Sequence, residues 1–202
     1  MTHIYLIRHG DNIEALKDGK YQDLGLSEDG IRQTERLRDR LARTGEIKVD
    51  VLISSPLQRA QESARILAPV LGQPIVLDQD FEEWRCEDGS MTPEEFTARW
   101  KQVPDEQKPF YRWQDGYETG QEFSLRVQSA LKRIIEEHAG KTVVLISHGG
   151  IVGAAFTYFF GLNTATLSPV SIAARNTSIT HWHKAEHASK WALERYNDYQ
   201  HL

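Results

Sequence analysis

Apolar residues along this chain fall into two kinds of run. Short unbroken stretches, Ile4-Tyr5-Leu6-Ile7 and Thr142-Val143-Val144-Leu145-Ile146, predict strands buried on both faces. Val49-Asp50-Val51-Leu52-Ile53 and Ile75-Val76-Leu77 predict two more, and Thr177 to His183 and Trp191 to Tyr196 form β-rich pieces near the end. Between these runs the apolar positions recur at helical spacing. A helix is predicted from Ser27, with Glu28 and Asp29 in its first turn, Ile31, Leu37 and Leu41 on its buried side and Gly45 at its far end. A second is predicted at Ser55-Pro56-Leu57-Gln58, where Ser55 caps, Pro56 takes the first helical position and Gln58 closes a capping box. Its stripe runs through Leu57, Ala60, Ala64, Leu67 and Leu71 to Gly72, which puts Arg59 in the first turn.

Thr92-Pro93-Glu94-Glu95 repeats the same start signal for a helix reaching about Lys101. A long helix follows from about Gly120 to His138, with Phe123, Val127, Leu131 and Ile134 inward and Gly140 as its stop, and an apolar helix spans Ile151 to Phe160. Two stretches have no period. Asp11 to Gly25 reads as a polar loop, and Val103 to Gly120, rich in Pro, Trp, Tyr and charge, reads as a covering loop or small lobe. The alternation of strands and helices is that of an α/β protein, and no repeat, low-complexity tract or linker divides residues 1–202.

Composition narrows the classes. The 202 residues are 40% hydrophobic and 26% charged, enough apolar material for one sizeable core. A formal charge of −5 argues against a non-specific nucleic-acid binder, which needs excess Lys and Arg. Cys86 is the only cysteine, so neither an intramolecular disulfide nor a cysteine-based zinc site is expected, as suits a reducing compartment. The chain enters a strand at once after Met1 and carries no membrane-length apolar run, which gives the expectation of a cytoplasmic protein without membrane partners.

Candidate chemistry sits at the ends of two strands. Arg8-His9-Gly10 follows the first apolar run and Ser147-His148-Gly149-Gly150 follows the late one. Ligands of open α/β sheets bind at the carboxyl ends of strands, so the two histidines are expected to share one pocket. Arg8 and Arg59 offer planar forks to an anion, and the start of the helix carrying Arg59 adds free N–H groups and a positive dipole end. Gly10 and Gly149 let backbone amides approach closely. A neutral histidine nitrogen can attack phosphorus, and a carboxylic acid can protonate the leaving alkoxide.

In this order Arg8-His9-Gly10, Ser54-Ser55-Pro56-Leu57-Gln58-Arg59-Ala60, an acidic residue after Phe81 and Ser147-His148-Gly149 resemble the histidine phosphatase superfamily, which contains the cofactor-dependent phosphoglycerate mutases and many small-molecule phosphatases. The resemblance covers nearly the whole chain. It implies a three-layer α/β/α sandwich with a mostly parallel central sheet and a small lobe, residues 84–121, over the active site. It also implies His9 as the nucleophile, Arg8, Arg59 and His148 as the phosphate pocket, and no metal or other cofactor. One carboxylate would protonate the leaving group: Phe81-Glu82-Glu83 favours Glu83, with Glu82 as the fallback. The chain departs from the family pattern in Trp84-Arg85-Cys86-Glu87-Asp88-Gly89, where phosphatases often carry tryptophan, an acid and glycine, and in Ala15, where an asparagine is often found.

Other residues read as structure. His181, His183 and His187 give no secure third ligand spacing and are expected on a solvated strand-to-loop face. Trp84, Trp100, Trp113 and Tyr117 read as packing, with lining of a substrate pocket as the alternative, Cys86 as inert, and Glu136-Glu137 as solvated helix. The expected activity is metal-independent hydrolysis of a small phosphorylated metabolite through phospho-His9. A mutase returning the phosphoryl group to substrate and a non-catalytic phospho-ligand module are the alternatives. An acidic chain suits an anionic substrate only if Arg8, Arg59, Arg85 and Arg175 concentrate positive field locally.

Overall fold

Six strands form one sheet in the order β5-β4-β6-β1-β7-β8. In chain order the elements are β1 (Thr2–Arg8), β2 (Asn12–Lys17), β3 (Lys20–Leu26), α1 (Glu28–Thr44), β4 (Val51–Ser54), α2 (Gln58–Leu71), β5 (Ile75–Leu77), α3 (Pro93–Trp100), α4 (Gly120–Glu137), β6 (Thr142–Ser147), α5 (Gly149–Phe159), β7 (Ile179–Lys184) and β8 (Ala192–Asp198). The computed structural model describes residues 1–17, 20–166, 168 and 170–202. Pairing is parallel from β5 through β4 and β6 to β1, and antiparallel on to β7 and β8.

Period-two alternation divides the core between the two faces of the sheet. Ile4, Leu6, Ile53, Val143 and Leu145 pack on one face with Phe123, Val127 and Leu131 of α4 and Ile151 and Ala155 of α5. Tyr5, Ile7, Leu52, Val144 and Ile146 pack on the other with Leu37 and Leu41 of α1 and Ala64, Leu67 and Leu71 of α2. The result is the expected three-layer α/β/α sandwich with a mostly parallel sheet. Each fully buried Leu or Ile in these layers contributes about 1.5–3 kcal/mol. Among the described residues no helix is long and apolar enough to cross a membrane.

Most helix signals act as read. Ser27 caps α1 by accepting from Gly30 N–H, and Gly45 ends it in the left-handed region. Thr92 with Glu95, and Thr119 with Glu122, close capping boxes on α3 and α4. Between α3 and α4, Trp113 is buried and stacks on Phe96 at 3.8 Å, so the aromatic residues there pack on one another.

Three local readings change. Asp11 to Gly25 is not a polar loop: β2 and β3 pair as an antiparallel hairpin, whose residues 18–19 lie outside the described residues. The hairpin has no apolar alternation because it is held by polar contacts to α2, where Glu62 accepts from Leu26 N–H at 2.7 Å. Ile31 is 42% exposed, and Gly30, Thr34, Leu37 and Leu41 form the buried stripe of α1 instead. Gly30 sets that rotation, because a Cβ there would stand 1.9 Å from the Asp11 carbonyl oxygen and only glycine fits. Ser55 does not cap α2. The helix begins two residues later with Leu57 at the cap position and no side-chain cap of its own, and Gln58 bonds Glu62 rather than closing a box.

Candidate active site

The parallel pairing of β1 with β6 sets Arg8 opposite Ser147, so the next residues, His9 and His148, leave the sheet side by side. Their ring centroids are 5.1 Å apart at 61°. His9 is 3% exposed and its backbone N–H donates to the Ser147 carbonyl at 2.9 Å. Its Nδ1 lies 2.6 Å from the Gly10 carbonyl oxygen, which can only accept, so Nδ1 carries the proton and Nε2 carries the lone pair. Arg59 Nε donates to that lone pair at 3.2 Å. Burial, aided by the Arg59 and Arg8 charges and opposed by the bond to Gly10, pushes the His9 pKa down to about 3, which keeps the imidazole neutral. Burial does the same to His148, with His9 and the nearby arginines adding to it.

Donors with spare capacity surround this ring pair. Arg8 reaches the Ala174 carbonyl with Nη1 at 2.6 Å, while its buried Nε has no partner among the described residues. His148 is fully buried, with Nε2 2.8 Å from Ser55 Oγ and Nδ1 likewise without a partner. Buried donors in that condition are costly unless an anion completes them. Arg59 is also held from the hairpin, by Asp23 at 3.1 Å and more distantly by Glu14 at 3.8 Å.

Glu83 is delivered by a pinned segment. Phe81 is fully buried at the end of a short 3₁₀ turn, and Arg126 and Arg133 of α4 hold the flanking residues through the carbonyls of Asp80 and Glu82 and the carboxylates of Asp78 and Asp80. The Glu83 carboxylate then accepts from Gly150 N–H at 3.0 Å and Trp84 N–H at 2.9 Å. It shares a cavity of about 220 Å³ with Arg59, Asp23, Leu57 and Trp84, a cavity that Glu82 does not line; Glu82 borders an outer groove with Arg126, which Glu83 also reaches. The geometry therefore brings Arg8, His9, Arg59, His148 and Glu83 together and leaves Glu82 outside.

Residues 4–199 match the family model of the histidine phosphatase superfamily (branch 1). The chain belongs to the histidine phosphatase superfamily. It is 29% identical to the uncharacterized phosphatase PhoE of Bacillus subtilis (strain 168) over 100% of this chain and 97% of that one. It is 32% identical to the probable phosphoglycerate mutase GpmB of Enterobacter sp. (strain 638), over 100% and 95%. The solved structure of Bacillus stearothermophilus YhfR has the same fold, with a TM-score of 0.77 at 23% identity, covering 100% of this chain and 99% of that chain. Relatives named phosphatase and mutase support an enzyme acting on phosphate esters.

Several expectations about this histidine phosphatase site need correction. Gly10 does not offer its amide to a ligand: the N–H donates to Ser63 Oγ at 3.1 Å, and a Cβ would stand 2.4 Å from the Gly30 carbonyl, so the glycine serves strand-to-helix packing. Gly149 does lie against the site, with Arg8 Nε 3.7 Å from where its Cβ would be. Arg85 borders the cavity, whereas the Arg175 guanidinium stacks over Tyr199 at 4.3 Å and does not line it. Glu14, Asp23 and Glu87 line the same cavity, so its mouth is not a basic funnel. His181 is buried rather than solvated, stacked on Tyr5 at 3.9 Å because it faces the α1 side of the sheet. Among the described residues no three potential ligands are grouped to hold a metal. Burial beside Glu87 pushes the Cys86 thiol up, which suits an inert residue.

Residues absent from the sequence reading complete the site. Asp23 accepts from the Arg59 backbone N–H at 3.2 Å, capping α2 from another element. Asn176 Nδ2 and Thr177 N–H both bond the His9 carbonyl, at 3.1 and 3.2 Å. Thr177 does so at φ 58°, a left-handed conformation rare for a β-branched residue and held here by its bonds to Arg8 and His9. No spacing or period singles these residues out in one sequence.

Proposed function

We propose that the protein is a phosphomonoesterase that hydrolyses a small phosphorylated metabolite through phospho-His9. The observation that carries this reading is the His9 tautomer: Nδ1–H is spent on Gly10, and the buried, neutral ring presents the Nε2 lone pair beneath Arg59. Nε2 attacks phosphorus, the N–P bond forms and the P–O bond to the leaving group breaks. The Glu83 carboxyl group gives a proton to the leaving oxygen. Water then attacks the phosphohistidine and loses its proton to Glu83, and the N–P bond breaks to release phosphate and restore neutral His9. Arg8, Arg59 and His148 bind the peripheral oxygens, whose charge they stabilise as it spreads in the transition state. Residues 84–121 serve as the cover over this pocket, Trp84 and Glu87 lining its mouth.

Hydrolysis of p-nitrophenyl phosphate in excess EDTA by wild type, His9→Ala and Glu83→Gln tests the reading. Turnover insensitive to EDTA, abolished in His9→Ala and deeply reduced in Glu83→Gln, is expected. Activity surviving in His9→Ala overturns the mechanism. Efficient conversion of 3-phosphoglycerate to 2-phosphoglycerate in a coupled assay would replace hydrolysis with mutase transfer.

A further inference from the structure

Ser55 is the residue whose expected and observed roles differ most. Its hydroxyl faces His148 at 2.8 Å instead of capping α2, and the Ser55 side chain is itself fully buried. The oxygen accepts from Leu57 N–H at 3.3 Å, and the backbone N–H of Ser55 donates to the Ile146 carbonyl at 3.0 Å, tying the residue to both α2 and β6.

A hydroxyl has one proton to give, and among the described residues the only acceptor bonded to Ser55 Oγ is His148 Nε2. If Nε2 held the imidazole proton, it would donate to Ser55 and the buried hydroxyl proton would have no acceptor. If Ser55 donates, Nε2 is the acceptor and the single proton of the neutral ring must sit on Nδ1. That second arrangement satisfies both groups. Nδ1 is also the buried ring nitrogen without a partner, on a ring standing edge-on to the neighbouring His9.

We propose that Ser55 is a positioning residue: by donating to His148 Nε2 it fixes the Nδ1–H tautomer, so that a neutral His148 is a hydrogen-bond donor to the phosphoryl group. This rests on the phosphatase reading for its catalytic consequence, but not for the tautomer itself. Neutral donation matters because a cation there would repel Arg8 and Arg59 and would have to be desolvated. The serine supplies the orientation that a charge would otherwise enforce.

Long-range ¹H–¹⁵N correlation of the histidine rings in the resting protein tests the tautomer without any substrate. Wild-type His148 is expected to be protonated at Nδ1 alone. Finding the proton on Nε2 overturns the proposal before any variant is made. In Ser55→Ala the proton is expected to redistribute toward Nε2, with kcat for p-nitrophenyl phosphate falling on the order of a hundredfold. Ser55→Thr, which keeps the hydroxyl, is expected to restore both. A Ser55→Ala protein that loses activity yet keeps the pure Nδ1–H signature refutes the role, because a merely structural serine would behave that way. If wild type hydrolyses no phosphate ester, the phosphatase reading fails while the tautomer result still stands or falls on its own spectrum.

Discussion

Asp23 holds Arg59 at two points, accepting from its backbone N–H at 3.2 Å and from its guanidinium Nη1 at 3.1 Å with the same carboxylate oxygen. Its other oxygen accepts from Gly25 N–H at 3.0 Å, so the carboxylate is fixed by its own hairpin. One residue therefore caps α2 and leaves Nε of Arg59 aimed at His9 Nε2.

Asp23→Ala is expected to lose about 1 kcal/mol of stability from the missing cap. Freed from its anchor, the guanidinium loses its fixed aim at His9, and KM for a phosphate ester is expected to rise while kcat falls. Urea midpoints and steady-state kinetics check this. Unchanged kinetics with reduced stability would make Asp23 a cap only.

Two glycines separate what the fold needs from what the site needs. A Cβ on Gly30 would meet the Asp11 carbonyl at 1.9 Å, a backbone atom that cannot step aside. A Cβ on Gly150 would meet Glu83 Oε1 at 2.1 Å, the movable end of a side chain. Gly30→Ala is expected to destabilise by about 3 kcal/mol. Gly150→Ala is expected to stay folded but displace the Glu83 carboxylate and cut kcat about a hundredfold. Thermal melts beside kcat discriminate the two, and full activity in Gly150→Ala would argue against Glu83 as the proton donor.

What the sequence makes legible follows from how strongly each feature is local. The β1 and β6 runs are apolar on both faces because helices cover both, and that alone places His9 beside His148. Ser27, Thr92 and Thr119 cap their own helices, so their signals lie within a few residues. The hairpin of β2 and β3 is invisible because polar bonds to α2 hold it, with no apolar period to betray it. Ser55 misleads for the same reason: a local cap motif is diverted to a histidine 93 residues away. The three-layer arrangement and the meeting of His9 with His148 are thus readable, whereas the groups that orient Arg59 and His148 belong to contacts between distant segments.

Acid is expected to weaken the fold before it protonates His9. Burial depresses His9 to about 3 and, with help from neighbouring cations, His181 and His201 to about 4, all below the unfolded value near 6.5. The unfolded chain therefore binds more protons in this window, so stability is full above about pH 6.5 and is lost as pH falls toward 4. For His9 alone the loss from pH 7 to pH 5 is about 2 kcal/mol. Urea unfolding at the two pH values measures it. Equal midpoints would contradict neutral buried histidines.

The carboxylates at the mouth set the last expectation. Glu14 and Glu87 share the cavity that holds Arg59 and Glu83, and Glu14 stands 3.8 Å from the Arg59 guanidinium. A substrate with a second anionic group must approach these charges, whereas a monoester with a neutral leaving group does not. Wild type is expected to prefer p-nitrophenyl phosphate over 3-phosphoglycerate as a hydrolytic substrate, and Glu14→Gln is expected to narrow that preference. Because Glu14 is partly exposed, the gain in kcat/KM for 3-phosphoglycerate should be modest, about two- to fivefold at low salt, and should shrink as ionic strength rises. An equal gain for both substrates would mean that Glu14 acts only by competing for Arg59, and selection against the second charge would then have to arise elsewhere in the mouth.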